Sequence, residues 1–126
     1  MAIKNQTLLV SIVVLLCGCA AKPESIAPSY VSPVGYLNWD CEQLAGEQGR
    51  LVASLATASD AQRQARSNDT VGVIFLGLPV SSLSGSNQAS NIARLKGELE
   101  ALQKAIIEKK CGTEIIPVDK AIEKKD

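Results

Sequence analysis

Between Asp40 and Arg66 apolar and polar residues alternate by threes and fours. Cys41, Leu44, Gln48, Leu51, Leu55, Ala58, Gln62 and Ala65 fall on one stripe. This spacing predicts an amphipathic helix with a heptad-like seam, which Gln48 and Gln62 weaken. Its start is marked by Asp40-Cys41-Glu42-Gln43, which fits a capping box, and by Trp39 and Leu44, placed as a hydrophobic staple. Glu42 and Glu47 lie early and Arg63 and Arg66 late, as the helix dipole favours. A second stripe, Ile92, Leu95, Leu99, Leu102 and Ile106, predicts a helix over Asn87 to Cys111. Glu100 and Lys104 are spaced as an i,i+4 pair, Lys109 and Lys110 fall in the last turn, and Gly112 is the expected C-terminal stop. Gly97, a poor helix former inside this segment, is expected to permit close approach of the first helix.

The two stripes match in antiparallel register. Leu51 is expected to face Leu102, Leu55 to face Leu99, and Ala58 to face Leu95, with the turn near Leu76 to Gly77. The expected fold class is therefore all-α: an antiparallel two-helix, coiled-coil-like hairpin over residues 39–112. Its tip would carry residues 71–80, Val-Gly-Val-Ile-Phe-Leu-Gly-Leu-Pro-Val, followed by polar residues from Ser81 to Asn87. This run is too short to span a bilayer. Two readings stand for it. It folds back on the hairpin or into a homo-oligomer core, or Val73, Ile74, Phe75, Leu76 and Leu78 form an exposed tip that enters a membrane or docks on a partner.

The most uniform apolar run lies earlier. Leu8 to Leu16 is apolar except for Ser11, follows Lys4, and ends in Leu16-Cys17-Gly18-Cys19. Its length suits the hydrophobic region of an export signal and is about half of the 18 or more residues that a spanning helix needs. Leu16 to Cys19 resembles the lipobox of bacterial lipoproteins. That resemblance implies removal of residues 1–18 and acylation of Cys19, with attachment to a membrane through the N-terminal lipid. Ala20 after Cys19 resembles the sorting pattern of outer-membrane lipoproteins, which implies the periplasmic face of that membrane. Residues 19–38 hold Pro23, Pro28 and Pro33 among serines, and read as a lipidated N-terminus with a flexible tether that lifts the domain off the membrane. Residues 113–126 read as a C-terminal tail, with Ile115 and Ile116 against the base of the hairpin and Ala121 to Asp126 frayed.

Composition narrows the function classes. The 126 residues carry 13 basic and 13 acidic side chains. Loss of residues 1–18 removes only Lys4 among them, so the balance predicts no nucleic-acid partner and no general attraction to anionic lipid. With Cys17 removed and Cys19 acylated, Cys41 and Cys111 remain in an oxidising compartment, and a disulfide between them is expected. It falls at the open end of the predicted hairpin. There is no histidine, no Cys-x-x-C, no phosphate loop and no nucleophile–base set, so neither a catalytic residue, a metal site nor a cofactor is expected.

Ser29-Tyr30-Val31-Ser32-Pro33, Cys41-x-x-Leu44, Ala93-Arg94-Leu95-Lys96-Gly97-Glu98 and Lys110-Cys111 together resemble a family of small, uncharacterised proteobacterial lipoproteins. Where members of that family usually carry Trp-Pro and further aromatics, this chain has Leu76-Gly77-Leu78-Pro79. The resemblance brings no activity. The expected function is a non-catalytic envelope lipoprotein acting as a structural or protein-interaction module, with an envelope protein or a second copy as partner. The alternative is a membrane-active protein whose apolar tip inserts into or bridges membranes.

Overall fold

The computed structural model describes residues 20–77 and 85–123. The expected signal segment, Cys19 and Leu78 lie outside the described residues. Among the described residues the fold is all-α, with three helices: α1 (Cys41–Leu76), α2 (Ala89–Glu108) and α3 (Val118–Ile122). Two short 3-10 turns, Pro23–Ser25 and Pro33–Tyr36, precede α1, and each begins on a proline.

The start of α1 follows from local chemistry. The Gln43 amide N–H donates to Asp40 Oδ1 at 2.8 Å, and the Asp40 N–H donates to Gln43 Oε1 at 3.0 Å. This reciprocal pair is the expected capping box. Trp39 packs against the core beside it and meets the Tyr36 ring edge-on at 5.4 Å. From there α1 continues for 36 residues, about 54 Å at 1.5 Å per residue. It runs beyond Arg66 because its buried stripe does: after Gln62 and Ala65, Asp69 and Gly72 are also buried at the same three–four spacing. The helix stops at Gly77, whose φ of 71° is open to glycine at little cost.

α1 and α2 make the main packing interface. Leu44, Leu51, Leu55 and Ala58 join Ile92, Leu95, Leu99, Leu102, Ala105 and Ile106 in one core. Two cross-links fix the antiparallel register. Cys41 and Cys111 form a disulfide at the start of α1 and just past the end of α2, with Cα atoms 5.6 Å apart. Toward the other end, the Gln88 N–H donates to Gln62 Oε1 at 2.6 Å. The disulfide closes a loop of 70 residues, a restriction of the unfolded chain worth about 4 kcal/mol in the chain-entropy model. In this register α1 outruns the start of α2 by about 12 residues, or ~18 Å.

α2 ends differently from expectation. It stops at Glu108, not at Cys111, and the left-handed residue is Lys110 (φ 55°), not Gly112. The Lys110 N–H donates to the Ile107 carbonyl and the Cys111 N–H to the Ile106 carbonyl, both at 3.1 Å. These are the two bonds of a Schellman ending. They satisfy the last carbonyls and turn Cys111 back toward Cys41. An ion pair on this helix joins Arg94 and Glu98 at 2.6 Å, six residues before the expected Glu100–Lys104 pair.

The larger departure is in what covers the pair. Residues 20–38, expected as a free tether, lie along the hairpin as a strap. Pro23 is buried, the Ser29 N–H donates to the Ala93 carbonyl at 2.8 Å, and Ile26, Tyr36 and Leu37 pack on the core. Residues 113–123, expected as a tail, fold back too. α3 buries Ala121 and Ile122, placed where fraying was expected, in the same core. Both segments are drawn in because two helices alone leave much of their apolar surface wet.

Lys110 offers a direct check on the helix ending. A left-handed non-glycine residue is strained, so Lys110→Gly is expected to stabilise the fold by about 1 kcal/mol. Urea denaturation under oxidising conditions measures it, and an unchanged or lower midpoint would contradict the cap.

Candidate functional site

The strap and the C-terminal return are held by polar side chains, among them Gln48 and Gln62, which periodicity alone reads as weak points of the seam. Gln62 Nε2 donates to the Ala21 carbonyl at 3.0 Å while its Oε1 receives the Gln88 N–H. Gln48 Nε2 donates to the Glu114 carbonyl at 2.7 Å, and Gln103 Nε2 to the Ile116 carbonyl at 2.6 Å. These amides dock non-helical backbone onto helices, which needs donors that aliphatic side chains lack. Lys96 does the same at higher cost. It is 3% exposed, and its Nζ donates to the carbonyls of Pro23 and Ile26, both at 2.7 Å. Burial pushes its ammonium below the ordinary lysine value, while Glu24, Asp119 and Glu100 act in the opposite sense.

Gly97 does permit a close approach, but of the strap and not of α1. A Cβ at this position would lie 1.8 Å from the Ser29 carbonyl oxygen. Gly97 and Ala101 are both buried at four-residue spacing, apart from the core shared with α1. They form a second face of α2, narrow enough for backbone to rest against. Further along, Lys109 Nζ donates to the Leu37 carbonyl at 3.0 Å. The strap thus runs the length of α2, from the Ala93 end to the Lys109 end.

The strap's first residue has a defined seat. Ala20 is 3% exposed, and its N–H donates to Asp69 Oδ2 at 3.3 Å. Asp69 is fully buried on α1, in the overhang beyond α2. The expected tip residues Val73, Ile74, Phe75 and Leu76 fall in the last turns of α1, at the end of the same overhang. Ile74 and Phe75 are 72% and 79% exposed, and Val71 is exposed as well. So the described part of the tip does not fold back on the hairpin. For Val73 and Leu76 the structure supports their place on α1 and nothing more. Cys41 and Cys111, the other predicted pair, meet at the far end of the molecule.

Arg63 ties the strap to α3. Its guanidinium donates to Asp60 at 2.9 Å, to Glu24 at 2.7 Å, and to the Ile122 carbonyl. A surface cleft of about 570 Å³ lies beside it, lined by Glu24, Arg63, Asp119, Lys120, Ile122 and Glu123. Its guanidinium is committed to these intramolecular partners, which makes this a structural junction. Burial alone would raise the Glu24 carboxyl. Its own backbone N–H and the Arg63 guanidinium more than offset that and hold it below 4.5. The Arg50 hydrogen bond likewise holds Glu47 below 4.5, against burial. Among the described residues no group of three or more Cys, Asp or Glu is placed to hold a metal ion, and no helix is long and apolar enough to cross a membrane.

Gly97→Ala is expected to lift the strap off α2, because the neighbouring atom is backbone and has no flexible end to move. Amide exchange at Ser29 should lose its protection while the α1 amides keep theirs, with an overpacking cost of about 3 kcal/mol. Retained protection at Ser29 would contradict the contact. Acid should also weaken the fold. Glu24 and Glu47 titrate lower in the folded chain than the unfolded value of 4.5, so their contribution is complete above that pH and is lost as pH falls through the folded values. The melting temperature should decline below about pH 4.5, less steeply in Arg50→Gln. An identical decline in that variant would remove Glu47 from the account.

No protein-family model matches this chain, nor does any curated protein or any solved structure.

Proposed function

We propose that this chain is a bacterial envelope lipoprotein, acylated at Cys19 after removal of residues 1–18. It would act without catalysis, as a structural or protein-interaction module at the periplasmic face of the outer membrane. Its working part is the coiled-coil-like hairpin, closed by Cys41–Cys111 and bound by the strap.

The observation that carries this reading is the seat of Ala20. The residue directly after the lipobox-like Leu16-Cys17-Gly18-Cys19 is already docked on α1 through Asp69. A lipid on Cys19 would therefore attach to a fixed point of the body, so the anchor would also set its orientation. The disulfide supports an oxidising compartment. Support for a non-catalytic role comes from how polar side chains are used: Lys96, Gln62 and Gln103 donate to main-chain carbonyls. A spacer role for residues 20–38 is not part of the proposal, since that segment is packed along α2. The exposure of Ile74 and Phe75 favours a second reading, in which this end touches a membrane.

Intact-mass measurement on protein from bacterial envelope tests the proposal. The expected species begins at Cys19 and carries acyl chains, and Cys19→Ser should accumulate as an unprocessed, unacylated precursor. An unmodified Cys19 in the wild-type chain would defeat it.

A further inference from the structure

The anchor point and the apolar end of α1 lie at the same pole of the molecule. Asp69, which receives Ala20, is six residues before Phe75, about 9 Å along the helix axis. The disulfide at Cys41 is about 42 Å away in the other direction. Cys19 directly precedes Ala20 in the sequence. Resting on the lipoprotein reading above, we infer that Val71, Ile74 and Phe75 contact the bilayer that holds the Cys19 lipid, as a second, protein-borne foothold on the same leaflet.

Three observations select a lipid surface as the occupant. Val71, Ile74 and Phe75 are exposed at i, i+3, i+4 spacing on the last turns of the overhang, past the start of α2. Along the helix axis the three span about 6 Å, within the thickness of the headgroup boundary. No carboxylate on these turns opposes a lipid phosphate. Neither residues 70–77 nor residues 85–91 contain one, the Asp69 carboxylate is fully buried, and Glu24, exposed beside Lys22 and Arg66 on the Asp69 side, is paired with Arg63. An anionic leaflet is therefore not repelled from the stripe. The patch is also small. Three side chains fall well short of the roughly 20–30 residues a side that a stable protein interface uses, whereas a surface already held by acyl chains needs only a modest addition.

The orientation follows from helix geometry. At 100° per residue, Val71, Ile74 and Phe75 lie on the side of α1 opposite Asp69. Anchor and stripe thus share an end but not a face. Contact with the bilayer is therefore end-on, with α1 rising from the membrane and the Cys41–Cys111 end directed away. An apolar end held this close to its own anchor is committed to that leaflet, so it does not bridge to a second membrane.

Site-directed spin labelling of the acylated chain tests this in vesicles of phosphatidylethanolamine and phosphatidylglycerol. Acylation at Cys19 is first established by intact mass. Cys41 and Cys111 are paired, so a label enters only at an introduced cysteine: Ile74→Cys at the apolar end, or Glu108→Cys at the disulfide end. The label at 74 is expected to show several-fold greater collision with oxygen than the label at 108, and several-fold less with a water-soluble nickel complex. Equal water exposure of the two labels in acylated protein would overturn the inference and leave the lipoprotein reading intact. Shielding at 74 from both reagents, with dipolar broadening between labelled copies, would assign the stripe to a second copy and also overturn it. An unmodified Cys19 would defeat the lipoprotein reading and this inference together.

Discussion

A helix packed against one neighbour buries one stripe, and α2 has more apolar surface than one stripe. Its residues Ile92, Leu95, Leu99, Leu102, Ala105 and Ile106 face the shared core with α1, while Gly97 and Ala101 lie around the other side. Covering that second side is the constraint on which the rest of the fold depends. An additional helix of ordinary girth is not required, because the residues there are small. An extended backbone fits, and the Ser29 carbonyl sits where a Cβ of residue 97 would be. Extended backbone brings unsatisfied carbonyls, each costly if buried without a partner. Lys96, Gln62 and Lys109 supply donors to four of them on the strap, those of Pro23, Ile26, Ala21 and Leu37, and Gln103 does so for Ile116 on the C-terminal return.

The helices were legible in the sequence because their signals are local and repeated. The stripe from Leu44 to Ala65 and the stripe from Ile92 to Ile106 each repeat over several turns, and Asp40 with Gln43 marks a start that backbone chemistry enforces. The disulfide was legible by elimination among four cysteines. The continuation of α1 was harder to see. Thr70, Val71, Val73 and Ile74 are β-branched and Gly72 favours no helix, yet Asp69 and Gly72 keep the buried stripe.

The strap was not legible because proline- and serine-rich composition predicts an extended conformation without saying what it lies on. Its signal was present on α2 instead. A lysine directly after a seam leucine, and a glycine after that, look like tolerated irregularities in a helix. In the fold Lys96 bonds two strap carbonyls and Gly97 gives the strap room to seat. Gln48 and Gln62 carried the same kind of information. A seam that faces only another helix gains nothing from an amide, whereas one that meets non-helical backbone does. α3 is five residues long and lies after Pro117, too short for any periodicity to register.

These contacts also decide which end of the molecule is which. A free tether leading into Asp40 would have attached the body at its disulfide end. The strap instead carries the chain along α2 to Asp69, so the N-terminal side of the folded body emerges at the opposite pole. Each pole is then closed by a different kind of link. The Cys41–Cys111 pole is held covalently, where both helix ends would otherwise fray. The Asp69 pole is held by hydrogen bonds and by packing of the strap. The covalent link removes unfolded-state entropy wherever it sits, whereas the hydrogen-bonded pole is held by several separate contacts. A break in strap contact at Gly97 loosens Ser29, while Gln62–Ala21, Arg63–Glu24, Lys96–Pro23 and Asp69–Ala20 lie on the far side of it and keep Ala20 beside the overhang of α1, and the disulfide keeps the two long helices together.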